Sequence, residues 1–342
     1  MPYTPPPGDE PWDTVDPADH GWDPAALEDL AAFCASQATD QLIVASRGRI
    51  MLERCWHGAD PTSVRDVASA QKSVTSVLVG SLVERQQLSL DDPVSTWLGT
   101  GWTRTDPDRE RAITLRHLLT MTSGLYDDFG HEASPGTRWY YNNNAYHQIR
   151  KVLETVSGKS TQALSEELVF GPLSMTHSTW VPRPAMVDPS GWVLCGLQTC
   201  ARDLVRFGLM VQGRGRSGDS IVLESSGYLD AALSSSQELN PSYGYLWWLP
   251  RAPFAIVPGP DPTVAPDPRK TFGGRRLDHP IAPSAPDDAK AAFGAGGQRL
   301  YVSAHLDLVF VRIGGVVDRH VDLDEELWRR LRAATPDATT RS

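Results

Sequence analysis

The chain has 342 residues, 40% hydrophobic and 22% charged, enough to build a sizeable core and unlike a disordered or collagen-like polymer. Its 32 basic and 42 acidic residues leave a net charge of −10, which argues against nucleic acid or an anionic membrane as main partner, since both require clustered positive charge. No apolar run reaches the ~18 residues of a spanning helix, and the acidic, Pro-rich start MPYTPPPGDEPWDTV lacks a secretory pattern, so the sequence reads as cytoplasmic with no membrane partner.

Residues 1–22 read as a loosely held arm. Pro24–Ser36 carries apolar residues at helical spacing, with Asp23 placed to cap it and Pro24 at its first position. Residues 41–45 and 50–56 read as two strands around the turn Ser46-Arg47-Gly48-Arg49. A long helix is expected from Val67 to Gln87, followed by the turn chemistry of Asp91-Asp92-Pro93. Further helices are expected at 114–122, 145–156 and 164–170, so the middle of the chain is mostly helical. Helical spacing returns at 202–212, and Tyr243–Leu249 reads as a strand. Ten prolines between 250 and 289 exclude a continuous helix or central strand and suggest a long irregular loop. Strands at 298–303 and 306–313 and a helix at 323–333 close the chain. The expected architecture is an α/β body from both chain ends (23–66 and 186–342) with an inserted helical domain (67–185).

Several local patterns carry no chemistry. Gly213-Arg214-Gly215-Arg216-Ser217-Gly218 has the spacing of a dinucleotide loop but follows a helix rather than a strand. No G-x-S-x-G elbow occurs, and the histidines lack metal-ligand spacing, so no metal or cofactor is expected. His57, His117 and His147 read as surface or satisfied structural residues. The four cysteines show no C-x-x-C spacing and read as reduced.

The chemistry lies in Ser69-Ala70-Gln71-Lys72. Residues i and i+3 of a helix share a face, so Ser69 and Lys72 can touch. A serine hydroxyl needs a base to become a nucleophile, and a lysine held among apolar neighbours can be neutral near pH 7. The chain has only five lysines, and Val74, Val77, Leu78 and Val79 surround this one with apolar sequence. Tyr141 and Asn143 in Trp139-Tyr140-Tyr141-Asn142-Asn143-Asn144 are candidate partners: the tyrosine as a proton relay with a pKa depressed by the lysine, the asparagine as a group that holds both lysine and substrate carbonyl. Phe293-Gly294-Ala295-Gly296-Gly297 precedes a strand pair, where glycine lets backbone approach a ligand closely.

Together these segments resemble the serine β-lactamase/penicillin-binding-protein superfamily, on the branch of class C β-lactamase-like esterases, D-aminopeptidases and 6-aminohexanoate-dimer hydrolases. The resemblance runs from about Trp22 to Arg332 and includes VASAQKSVTSVLVG, LSLDDPVSTWL, ITLRHLLTMTSGL, PGTRWYYNNNAYH, YGYLWWL and FGAGGQRLYV. It implies a β-lactamase-like α+β fold, a central antiparallel sheet flanked by the terminal helices with an inserted helical domain. It also implies Ser69 as nucleophile, Lys72 and Tyr141 as proton-transfer groups, Asn143 as their neighbour, and the Ser69 and Ala295 N–H groups as an oxyanion hole next to Gly294. The K-T-G or H-x-G of relatives that act on penicillins or D-Ala-D-Ala is here Ala292-Phe293-Gly294, without a cation. A neutral or differently charged acyl substrate and slow β-lactam turnover are therefore expected. Trp247 and Trp248, with the proline-rich segment, are expected to frame the mouth of the site. The reading is a cofactor-free serine hydrolase acting on a small ester or amide. The alternatives are a transacylase with the same residues and an inactive ligand-binding relative.

Overall fold

The computed structural model describes residues 3–8, 10–263, 265–318 and 320–335. Helix α1 (Pro24–Ser36) starts as expected, with the Asp23 carboxylate accepting from the Ala25 and Ala26 N–H groups. Strands β1 (Thr39–Ser46) and β2 (Arg49–Cys55) form a hairpin whose two turn residues, Arg47 and Gly48, both have positive φ. This geometry matches the right-handed twist of the strands. Helix α2 (Gln71–Glu84), preceded by one 3-10 turn at Ala68–Ala70, is buried through its first twelve residues. It is buried all round, small polar residues (Ser73, Thr75, Ser76, Ser81) alternating with apolar ones, and Gly80 lets it lie against Tyr228, whose ring would be 2.4 Å from an added Cβ.

Helices α3 (Leu115–Leu119) and α4 (Asn143–Ser157) follow, the latter capped by the Asn142 side chain at its start and by left-handed Gly158 at its end. Strands β3 (Thr179–Val187) and β4 (Val193–Thr199) are antiparallel and, with Arg65–Asp66, make a small three-stranded sheet. Neither strand is among the expected elements, and β3 contains Pro182 and Pro184. Both are tolerated because β3 is an edge. Helix α5 (Ala201–Gln212) leads to a two-stranded ribbon, β5 (Ala255–Pro258) and β6 (Gly274–Leu277). The main sheet is completed by β7 (Lys290–Gly294), β8 (Gln298–Ser303) and β9 (Leu308–Gly314), and α6 (Leu323–Ala334) closes the fold.

The main sheet has the order β7-β8-β9-β1-β2, antiparallel throughout, so the two chain ends build one sheet. Register separates its faces. Leu300 and Val309 lie towards α5, where Gly208 permits close approach: a Cβ there would sit 2.6 Å from Val309. Tyr301 and Phe310 lie on the opposite face, where Trp328 of α6 meets Tyr301 edge-on at 5.1 Å.

Three expectations are corrected. The N-terminal arm is packed, because β2 is a sheet edge with free backbone groups: Val15 N–H donates to Ile50 at 3.0 Å, Ile50 N–H donates to Asp13 at 3.1 Å, and Trp12 is buried with its indole N–H on the Gly48 carbonyl at 2.8 Å. Tyr243–Leu249 is a tight turn rather than a strand: Leu246 has φ 62°, and only Trp248 bridges to Ala291 of β7. The proline-rich segment is not irregular throughout, since a ribbon of two edge strands accommodates prolines at its ends. The docking of the arm makes a measurable difference. Trp12→Ala should lower unfolding free energy in urea by about 3–5 kcal/mol, the usual cost of removing a buried tryptophan. A loss below about 0.5 kcal/mol, the scale of surface substitutions, would mean that the arm contributes nothing to the fold.

Candidate active site

The turn before α2 presents Ser69. Ala68 is left-handed, with φ 48°, and its N–H donates to the Asp66 carboxylate at 2.7 Å. Asp66 is held in turn by the Arg183 guanidinium, which crosses β4 where Gly196 has no side chain. Gln71 accepts from the Leu197 N–H at 2.7 Å, tying the first residue of α2 to β4. On the other side lies Gly294 of β7. A Cβ there would be 2.1 Å from the Val67 carbonyl, so only glycine lets this strand reach the turn.

Lys72 lies beneath Ser69, with 3% of its surface exposed. Its Nζ is 3.0 Å from Ser69 Oγ and donates to Asn143 Oδ1 at 2.8 Å. The ammonium also lies over the Tyr141 and Tyr146 rings, at 4.8 and 4.5 Å from their centroids. Both of its hydrogen-bond partners are neutral. Burial, with Arg183 adding repulsion, lowers its pKa from 10.5 to about 7. Tyr141 is hydrogen-bonded to the Ser69 side chain, and burial raises its pKa. This reverses the expected depression: a lysine that is itself near-neutral offers little charge to stabilise a phenolate, and desolvation wins.

The three asparagines of the motif divide the work. Asn142 caps α4 through the Ala145 N–H and donates to the Leu125 carbonyl. Asn144 donates to the Asp127 carbonyl. Asn143 alone reaches Lys72. It was expected to hold a substrate carbonyl as well, yet it is not among the residues lining the cleft, because its oxygen is engaged by the buried amine behind Ser69.

A cleft of about 840 Å³ opens over Ser69. Tyr141, Trp248, Phe293, Gly294 and Ala295 line it, as expected, and Phe272, Arg275 and Arg299 are lining residues that sequence reasoning missed. Trp248 is sandwiched between Tyr141 (6.1 Å, 24°) and Phe293 (5.7 Å, 22°). The Arg299 guanidinium, on the strand position opposite Phe293, continues this column 4.4 Å from the Phe293 ring. The expectation that no cation stands near Phe293 is therefore corrected in part. That cation is already neutralised: Asp324 takes two of its N–H groups, at 2.6 and 2.9 Å. Trp247 is not at the mouth. It is fully buried and stacks on Phe207 at 6.0 Å, because the turn at Leu246 sends consecutive tryptophans to different surroundings.

His279 and His320 line the outer cleft, and no histidine is hydrogen-bonded to Ser69 or Lys72 among the described residues. His117 accepts from the Thr114 N–H at 3.0 Å. His147 departs from expectation: it is buried, its Nδ1 has no partner among the described residues, and desolvation holds its pKa well below 6.5. Burial pushes the Cys34 and Cys200 thiols up to about 12 and Cys55 up to about 11, which leaves them poor nucleophiles. Tyr146 could have been found from sequence, since it lies one helical turn after Asn143 on α4. Phe272, in a segment without periodicity, could not.

Residues 30–306 match the Beta-lactamase family. The chain belongs to the Beta-lactamase family. Among curated relatives, Esterase EstB of Burkholderia gladioli is 29% identical over 41% of this chain and 46% of its own length. The chain thus spans about half the length of that relative. Solved structures agree over more of the fold. A candidate 6-aminohexanoate-dimer hydrolase from Bacillus anthracis superposes with a TM-score of 0.66 over 89% of this chain and 81% of that one, at 17% identity. EstCE1, described as a hydrolase with promiscuous acyltransferase activity, gives 0.63 over 91% and 98%, at 14% identity. These likenesses establish the Beta-lactamase fold.

The buried amine makes the fold sensitive to pH in a defined direction. Between about pH 7 and 10.5 the unfolded chain holds a proton on Lys72 that the folded protein lacks, so this residue's contribution to stability rises with pH across that window. Lys72→Met, of similar volume, should be more stable than wild type at pH 7, by about 1–3 kcal/mol after the lost hydrogen bonds are offset. The advantage should shrink towards pH 10. Melts in which wild type is the more stable protein at pH 7 would contradict a neutralised buried lysine.

Proposed function

We propose that this protein is a serine hydrolase that cleaves a carboxylic ester or linear amide through an acyl-enzyme on Ser69. The observation that carries the reading is the contact between Ser69 and a buried lysine whose amine is near-neutral at physiological pH. Neutral Lys72 takes the Ser69 proton as Oγ attacks the substrate carbonyl carbon. The carbonyl oxygen gains negative charge, and the Ser69 and Ala295 N–H groups are assigned to receive it. Collapse expels the alcohol or amine, which receives the Tyr141 proton, and Tyr141 recovers one from the Lys72 ammonium. Water then attacks the acyl-enzyme, gives its proton to Lys72, and releases the acid as Ser69 regains its hydrogen. The pKa directions favour this division: the lysine is set to accept a proton, and the raised phenol stays protonated and is suited to relay one.

The substrate assignment follows from the cleft. A penicillin or D-Ala-D-Ala carboxylate needs a free cation beside β7, where Phe293 is aromatic and Arg299 is paired with Asp324; Arg275 lines the cleft from β6 rather than from β7. Aromatic rings over Ser69 suit a neutral acyl group. They also restrict water, which favours acyl transfer to an added alcohol or amine as a second activity, in line with the activity ascribed to EstCE1. Product analysis with and without such an acceptor separates hydrolase from transacylase.

Brief exposure to p-nitrophenyl butyrate should add one butyryl group to wild type by intact mass, or give steady nitrophenol release, and Ser69→Ala should do neither. Lys72→Ala and Tyr141→Phe should each lower kcat by ~10²–10⁴. Because the neutral amine is the competent form, kcat/KM should fall about tenfold per pH unit below pH 7 and level off above it. Arg183, Tyr141, Tyr146 and His147 all face or influence Lys72. Burial raises Tyr141 and Tyr146 and lowers His147, so these three favour their neutral forms and do not invert the profile. A rate that is flat from pH 5 to 8, or activity in Ser69→Ala, would remove Lys72 or Ser69 from the assigned role.

Nitrocefin provides the specificity test. Its kcat/KM should lie at least ~10²-fold below that for p-nitrophenyl butyrate, the scale of one lost strong charged contact. Equal values would show that a paired Arg299 suffices for a β-lactam carboxylate.

A further inference from the structure

The cleft over Ser69 has a neighbour. A second cavity of about 720 Å³ lies beyond the β5–β6 ribbon, with Trp139, Ile256 and Leu239 on its wall and Glu132, Asp267 and Lys270 also in its lining. Among the described residues, only Gly259 and Phe272 line both cavities. Gly259 follows β5 and Gly273 precedes β6, and the two backbones nearly touch: a Cβ on Gly273 would stand 2.6 Å from the Gly259 carbonyl oxygen. Glycines supply no side chain, so the partition between the cavities carries one, the Phe272 ring.

That ring is held from two sides. In front it meets Tyr141 edge-on, with centroids 6.0 Å apart and planes at 88°. Behind it, the Asp127 carboxylate accepts from the Thr271 N–H and from the Tyr140 hydroxyl, the latter at 2.8 Å. The Asp127 N–H donates to the Arg269 carbonyl at 3.1 Å, and Lys270 pairs with buried Glu132. A segment otherwise rich in proline is therefore pinned to the loop that leads into the Tyr141 motif, and the pinned residue is the one that closes the cleft.

We infer that Phe272 is the specificity-determining residue for alkyl chain length: it ends the binding cleft, and the cavity behind it, apolar along its Trp139, Ile256 and Leu239 wall, is a distal subsite that its removal would open. The inference rests on the hydrolase reading of Ser69, and its test uses two readouts that separate them. Wild type, Phe272→Ala and Phe272→Leu are compared on p-nitrophenyl butanoate, octanoate and dodecanoate. The free butanoate, octanoate and dodecanoate ions are titrated into the same proteins by calorimetry, which needs no chemistry.

Each methylene moved out of water is worth about fourfold in affinity. In Phe272→Ala the dodecanoate-to-butanoate ratio should therefore rise at least ~10-fold over wild type, in kcat/KM through KM and in calorimetric affinity alike, with Phe272→Leu between. The leucine variant keeps an apolar side chain against Tyr141, so a folding defect in the alanine variant would not hide the trend. Calorimetric ratios that agree within about twofold across folded proteins would overturn the inference. A shifted calorimetric ratio with no ester turnover by any protein would support the partition and sink the hydrolase reading instead.

Discussion

Everything at this site depends on keeping a lysine amine out of water with no carboxylate beside it. Its partners are a hydroxyl, an amide oxygen and two aromatic faces. None of these carries full negative charge, so nothing balances the loss of hydration. A displacement from 10.5 to about 7 corresponds to roughly 5 kcal/mol against the protonated form. The fold carries that burden near neutral pH, where the amine is left able to accept a proton. A glutamate in place of Asn143 would solve the electrostatic problem and remove the reactivity.

The surrounding structure reads as the means of holding that arrangement still. Helix α2 is buried and pressed against Tyr228, so Lys72 cannot swing to solvent without displacing a core helix. The turn before it needs the positive φ of Ala68, a conformation that costs about 1 kcal/mol for a non-glycine residue. The Asp66–Arg183 pair and the Gln71–Leu197 hydrogen bond offset that cost from the small sheet. Gly294 then lets the main sheet close on the turn from the opposite side. Ser69 thus sits where two sheets and a central helix meet, and each of the three contributes a backbone constraint.

How much of this was legible in the sequence differs by feature, for physical reasons. The Ser69–Lys72 contact follows from helical geometry alone, and the structure shows it. The partnership with Asn143 crosses 71 positions, so no helical rule reveals it; the asparagine was a candidate on its chemistry, and the resemblance of the whole pattern strengthened it. Tyr141 was placed correctly, but its pKa was expected to move the wrong way, because burial cannot be read from a motif. Strands β3 and β4 were not among the expected elements: β3 carries Pro182 and Pro184, which only an edge strand tolerates, and β4 has little period-two alternation. Trp247 and Trp248 are indistinguishable in sequence. One is core and the other lines the cleft because the chain, turned at Leu246 just before them, bridges to β7 at Trp248 and sends the two side chains to different surroundings. Phe272 was invisible among prolines, since a loop held by one carboxylate has no periodicity.

The replacement of a cation by Phe293 has consequences beyond the lost charge. An aromatic side chain at that position stacks on Trp248, which stacks on Tyr141, so the strand edge and the proton-relay tyrosine become one continuous column. Arg299 ends the column as a cation over an aromatic face, and Asp324 of α6 draws its charge away from the cleft. The column therefore does two things that a lysine there could not do together. It covers one wall of the cleft with aromatic surface that reaches as far as Tyr141. It also sets apolar area rather than a cation on that wall, while Arg275 enters the lining from β6. Such a cleft discriminates weakly between similar acyl groups, by about 1–3 kcal/mol per methylene at most, unless a rigid wall sets the length it accepts.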